Sequence, residues 1–288
     1  MMNSATLSDA TTRSRIVSIV VHVLLISASV VMIYPLLWML SASFRPENEI
    51  FTSASLLPSS FSLDSYIEGW SDLPVSFGRF FSNSFLIAIL CVGGNVVSCS
   101  LAAFAFSRLE FRGRRTLFAL MLITLMLPYH VTLIPQYVLF RGLGWVDTFL
   151  PLVVPKFLAV DAFFIFLMVQ FFRGIPKELD EAAMMDGCSP WRIYCRVIMP
   201  LSMPVLATAS IFTFIWTWDD FLGPLIYLND MEQYTAMLGL RTFVDSTGVS
   251  NFGGLFAMSV LSLVPIFGFF LLFQRLLIEG IATTGMKR

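Results

Sequence analysis

Long windows without a single ionised side chain constrain this chain more than any other feature. Between Arg15 and Arg45 lie 29 such residues, between Arg79 and Arg108 lie 28, and between Arg115 and Arg141 lie 25. Between Arg196 and Asp219 lie 22, and between Asp245 and Arg275 lie 29. A sixth apolar window, Asp147 to Arg173, is interrupted only by Lys156 and Asp161. A bilayer core of about 30 Å takes about 20 helical residues. Six spans are therefore predicted, near 16–40, 83–106, 117–138, 149–171, 203–227 and 254–275. The expected class is all-α: a polytopic membrane protein whose residues 1–288 form a single transmembrane domain.

Composition supports this. Charged residues make up 13% of the chain and apolar ones 57%, whereas a soluble domain is about one quarter charged. So few charges cannot solvate a globular surface of this size, and the 29 Phe exclude disorder. The first apolar stretch is too long for a cleavable signal and lacks a small-residue cleavage site. Cys91, Cys99, Cys188 and Cys195 form two C-x6-C pairs. That spacing suits neither zinc nor a redox motif, and reads as small helix-packing residues. No metal site, and no basic stripe for nucleic acid, is expected.

Lys and Arg set orientation. With the N-terminus inside, 13 of the 18 basic residues fall on the cytoplasmic side. Arg45, Arg79, Arg141 and Arg241 fall outside, and Lys156 stays in the membrane. Both termini are thus expected to be cytoplasmic. Two outer loops, 41–82 and 228–253, and one inner loop, 172–202, are long enough to carry structure. The second outer loop is polar through Asp230, Glu232, Asp245 and Ser246, which suits an exposed contact surface.

The inner loop reads G-I-P-K-E-L-D-E-A-A-M-M-D-G-C-S-P-W-R from Gly174 through Arg192. Pro176 suits a first helical turn, and Glu178, Asp180 and Glu181 meet the positive end of that helix. Gly187 can take the left-handed conformation that closes it. Ser189 and Pro190 then supply an N-cap and first-turn proline for a second helix. Leu179, Met184 and Met185 offer apolar contact, and Ala182 and Ala183 a close approach. A helix lying on lipid is usually rich in Lys and Arg on its polar face, whereas this one begins acidic. Docking to a protein is the expected role.

Glu181-Ala182-Ala183, then Asp186-Gly187 and the prolines at 200 and 204, resemble the EAA loop of bacterial ABC-importer permeases. Asn83-Ser84, Ala102 to Arg108, Phe111-Arg112-Gly113, Pro128, Ile134-Pro135, Gly144, Asp147-Thr148 and Trp218-Asp219-Asp220-Phe221 resemble the carbohydrate-uptake branch, in order along the chain. The smaller subunit of the maltose-type permease pair is the most similar kind. The resemblance implies that Glu181, Ala182, Ala183, Asp186 and Gly187 form a coupling helix seated in a cytoplasmic ATPase. It also implies a second homologous permease, two ATPase subunits carrying ATP and Mg, an extracytoplasmic solute-binding protein and a sugar substrate, all at a bacterial inner membrane. The chain has no phosphate-loop motif and no catalytic set, so the ATPase would be the partner's. Where the family commonly has Trp-Asn, this chain has Trp218-Asp219. Glycerol phosphate or a sulfonated sugar would fit the same motifs. A polytopic membrane enzyme or a stand-alone channel are readings from other classes.

Ionisable groups in a membrane are functional suspects because lipid exposure is costly. Tyr129, His130, Gln136, Asp161, Trp216, Trp218 and Asp220 are candidates for lining a sugar pathway. Prolines 128 and 135 are expected to break the third span there. Five helical positions correspond to about 140° of rotation, so Lys156 and Asp161 are expected to face apart. By depth along their spans, Lys156 and Asp219 or Asp220 come close enough for a buried ion pair.

Overall fold

The computed structural model describes residues 4–52, 55–71, 73–244 and 251–285. The described residues form helices and loops, with no strand among them. The elements run α1 Ser4–Ala42, α2 Asp64–Ser71, α3 Phe77–Arg108, α4 Arg114–Thr124 and α5 Tyr129–Gly142. Then come α6 Leu150–Val153, a 3-10 turn Val154–Leu158, α7 Ala162–Gly174, α8 Glu178–Met185 and α9 Pro190–Ile193. A π-helical turn, Tyr194–Ile198, leads into α10 Met199–Leu201, α11 Met203–Trp218, α12 Leu222–Tyr227, α13 Ala236–Leu240 and α14 Phe252–Gly285.

Among the described residues, four stretches are long and apolar enough to cross a membrane: Val17–Ala42, Phe77–Arg108, Leu150–Gly174 and Phe252–Arg275. A fifth arises if Pro190–Leu201 and Met203–Trp218, bent by 78°, form one broken span. The predicted third span is instead two helices, α4 and α5. Proline disfavours helical backbone in the residue before it, and α4 ends at Thr124, short of Pro128, which is itself the N-cap of α5 with ψ 132°. The amides of Leu125, Met126 and Leu127 turn back to carbonyls three residues earlier, closing α4 tightly. Pro135 stays inside α5 and does not end it.

Two compact units divide the chain. The first comprises residues 1–69 and 244–260. In it Arg45 is 1% exposed, and its guanidinium donates to Ser41 Oγ at 3.1 Å and to the Ser55 carbonyl. Ser43 Oγ lies 2.8 Å from the Tyr66 hydroxyl, and Glu47 accepts the Phe252 amide at 2.8 Å. No residue from 17 to 40 is buried within the chain, so this span leaves its apolar side chains to lipid or to other subunits.

The second unit comprises residues 70–243 and 261–288. Its core packs α3 against α7 and α11. Cys91, Asn95, Cys99 and Ala103 recur every four residues on the face of α3 that is buried. Small residues let helix backbones approach, and polar ones hold neighbouring helices by hydrogen bonds. Asn95 Nδ2 donates to Thr213 Oγ1 at 2.8 Å, both side chains being buried. The packing role expected of cysteine holds for Cys91 and Cys99; Cys188 is half-buried and Cys195 exposed.

Candidate functional site

The loop after α7 folds as its residue types dictate. Gly187 adopts φ +78°, and the Gly187 and Cys188 amides close α8 onto the Met184 and Ala183 carbonyls at 3.0 and 2.9 Å. Ser189 Oγ accepts the Arg192 amide at 3.4 Å, capping α9 ahead of Pro190. Glu181, Ala182, Asp186 and Gly187 are exposed, while Ala183 is half-buried and packs against the core of the second unit. Met185 is 89% exposed and Trp191 63%, so apolar side chains point away from the chain.

One residue of this helix has a role that sequence reasoning missed. Asp180 turns inward and pairs with Arg108, the last residue of α3, at 3.0 Å. Both side chains are nearly out of solvent. Arg108 also donates to the Phe172 and Ile175 carbonyls at 2.6 and 2.8 Å. One guanidinium therefore ties together the ends of α3 and α7 and the start of α8. No local signal could have found the pair, because its members lie on segments far apart in the chain.

A cavity of about 820 Å³ opens within the second unit. Gln136, Lys156, Asp161, Phe163, Trp216 and Asp220 are among the residues lining it. A smaller recess beside it shares Lys156, Trp216 and Asp220. The structure thus brings Gln136, Asp161, Trp216 and Asp220 to one place. Trp218 does not join them: it is 1% exposed, donates its indole N–H to the Ser262 carbonyl at 3.0 Å, and packs against Phe85 and Phe214. His130 is exposed and does not line the cavity, and the Tyr129 side chain lies outside the described residues.

Lys156 finds a partner other than Asp219. Its Nζ lies 2.8 Å from Asp161 Oδ2. The expectation that these two face apart assumed a continuous helix. The chain instead makes a 3-10 turn through Leu158 and takes φ +54° at Ala159, which folds Asp161 back toward Lys156. Ser98 Oγ on α3 donates to the Lys156 carbonyl at 2.8 Å and fixes this turn. Asp220 accepts the Gly223 amide at 3.0 Å.

Asp147 anchors a further junction, with φ +64°. Its carboxylate accepts the amides of Asn229 and Asp230 at 2.8 and 2.9 Å, and its own amide donates to the Tyr227 carbonyl at 2.7 Å. Those two backbone donors, Asp230 first, hold the carboxyl below its ordinary value.

Residues 94–282 match the family model described as the binding-protein-dependent transport system inner membrane component. The chain belongs to this family. The permease is 34% identical over 258 residues to the arabinooligosaccharides transport system permease protein of Halalkalibacterium halodurans, covering 88% of this chain and 91% of that one. It is 31% identical to the trehalose/maltose transport system permease protein of Thermococcus litoralis, covering 90% and 93%. It is 32% identical to the sn-glycerol-3-phosphate transport system permease protein of Rhizobium meliloti, covering 91% and 95%. A solved bacterial ABC transporter involved in importing the acidic polysaccharide alginate shares the fold. The TM-score is 0.82 at 24% identity, over 91% of this permease and 97% of that chain. The protein is an ABC-importer permease with an all-helical, polytopic membrane fold.

Proposed function

We propose that this permease carries a sugar and that α8 is the point where a partner ATPase drives it. One observation carries the coupling role. An eight-residue helix, held from behind by Arg108 and Asp180, presents Leu179, Met184 and Met185 to solvent at 43, 55 and 89% exposure. Exposed apolar side chains beside carboxylates suit a groove on another protein. The partners in this reading are a second homologous permease, two ATPase subunits holding ATP and magnesium, and an extracytoplasmic solute-binding protein. Glu181, Ala182, Asp186 and Gly187 meet the ATPase, and both termini lie on the cytoplasmic side of the inner membrane. Counting α4 with α5, and α10 with α11, as bent crossings makes six crossings in one permease domain.

The arabinooligosaccharide and trehalose/maltose relatives favour sugar cargo, while the sn-glycerol-3-phosphate relative favours a second reading in which the cargo is anionic. The test of coupling uses the complete importer in proteoliposomes. Glu181→Lys changes an exposed charge, and Gly187→Pro forces a φ near −65° where the turn needs +78°. Each variant should assemble yet lose about tenfold of its ATP-driven uptake, equivalent to ~1.4 kcal/mol of coupling. Wild-type uptake by either variant sinks the coupling role.

A further inference from the structure

Neutral and anionic cargo differ most where charge lines the pathway. We propose that the cavity in the second unit accepts an uncharged saccharide and disfavours anionic solutes, an inference that rests on the permease reading above. Among the described residues, the charged side chains lining the cavity are Lys156, Asp161 and Asp220. The cation among them is already taken, since Lys156 Nζ sits 2.8 Å from Asp161 Oδ2. Asp220 makes no ion pair among the described residues and accepts the Gly223 amide. A phosphate or carboxylate entering here would have to share Lys156 with Asp161 while standing near Asp220, in a lining with two carboxylates to one ammonium. Among the described residues, no arginine lines the wall to offer the bidentate fork that anion sites use.

The rest of the wall suits a neutral sugar. Trp216 and Phe163 are 52 and 45% exposed, with ring centroids 5.9 Å apart and planes at 50°. Together they present apolar faces to the C–H side of a pyranose. Asp161 and Asp220 are acceptors for hydroxyl protons, and Gln136 and Thr132 add amide and hydroxyl groups. A volume of about 820 Å³ lies within the usual range of about 300–1,000 Å³ for small-molecule sites. Mostly apolar lining with a few placed polar groups is also the usual character of such sites.

The charge of the cavity can be measured without knowing the cargo. Val160 lines it and is 54% exposed, so Val160→Cys leaves packing intact. The variant is made with Cys91, Cys99, Cys188 and Cys195 replaced by Ser, and studied in the assembled importer. Its reaction rate is taken with a trimethylammonium-ethyl and a sulfonato-ethyl methanethiosulfonate. Any shift in the thiol's own ionisation changes both rates by the same factor and cancels in their ratio. A net-negative cleft concentrates cations over anions by about tenfold or more. The cationic-to-anionic ratio should therefore exceed that of a free thiol by about tenfold, and fall severalfold on adding Asp220→Asn. A ratio equal to or below that of the free thiol overturns the proposal. So does protection of the thiol by glycerol 3-phosphate when a second variant, with Cys195 as its one thiol in this chain, is not protected. Failure of the coupling role would appear in the uptake of Glu181→Lys and leave this ratio unchanged, so the two are separable.

Discussion

Trp216 and Trp218 stand two positions apart on α11, and a helix turns about 200° over two residues. One ring therefore faces the cavity while the other is sealed beneath Phe85 and Phe214. Their spacing alone contains the rotation that keeps Trp218 out of the pathway. Lys156 and Asp161 are the opposite case, because the break between them cancels the rotation that a continuous helix would impose. Nothing about an alanine announces the left-handed turn at Ala159, which tertiary packing imposes. Asp147 also holds a left-handed backbone, but its carboxylate explains why that residue is tolerated there. Two amides stabilise the charged form, so its pKa is lower in the folded protein than the ordinary 3.8. By linkage, the stabilisation is fully present above that ordinary value and is lost as pH falls through the depressed one. Asp147→Asn keeps an acceptor oxygen and an Asn-compatible turn without the titration. Its melting temperature should sit below wild type near neutral pH, and the gap should close in acid below about pH 3.8. A gap that stays constant across that window would show that the carboxylate's charge contributes nothing.

Helix α3 shows what an element can carry beyond its length. Its span was legible because 28 uncharged residues separate Arg79 from Arg108, and a lipid core admits little else. The short helices α8 and α9 were legible for a different reason: Gly187, Ser189 and Pro190 each have a local chemistry that fixes a helix end. The breaks in the third and fourth spans were only partly legible. Pro128 marks one, but the turn after Pro155 is set by contacts that sequence does not display. Two of these come from α3. Gly94 lies against the Phe157 ring, where an added Cβ would stand 2.6 Å from a ring carbon, and Ser98 holds the Lys156 carbonyl. Gly94→Ala must push the ring and the turn that carries Lys156, at a cost of about 1–3 kcal/mol. At the adjacent Gly93 an added Cβ would have nothing within 4 Å, so Gly93→Ala should be neutral or slightly stabilising. Thermal melts of the two variants compare them directly. Equal melting temperatures would mean that the close approach at Gly94 does not fix the turn.

Within the second unit, α3 touches both the turn that carries Lys156 in the cavity wall and the start of α8. Near its start, Asn83 donates to the Glu232 and Tyr234 carbonyls at 2.8 and 3.0 Å. At its far end, about 38 Å from Asn83 at a rise of about 1.5 Å per residue, Arg108 grips Asp180. The proposed motion of α8 therefore has a rigid path toward the residues that line the cavity. The Arg108–Asp180 pair was invisible in sequence because a contact between distant segments leaves no local pattern. Its side chains are 4 and 10% exposed, so removing one partner strands a buried charge at about 3–5 kcal/mol. Removing both leaves no stranded charge, although the Phe172 and Ile175 carbonyls still lose their donor. Arg108→Ala and Asp180→Ala alone should therefore lower the melting temperature strongly, and the double variant should lose less than the two single losses added together. Transport should not recover with stability, since the tie between α3 and α8 is still absent. In the assembled importer, the double variant should hydrolyse ATP with far less sugar moved per ATP than wild type. If it instead moves sugar at the wild-type ratio while melting near the wild-type temperature, the pair is only structural and force reaches the cavity through other contacts.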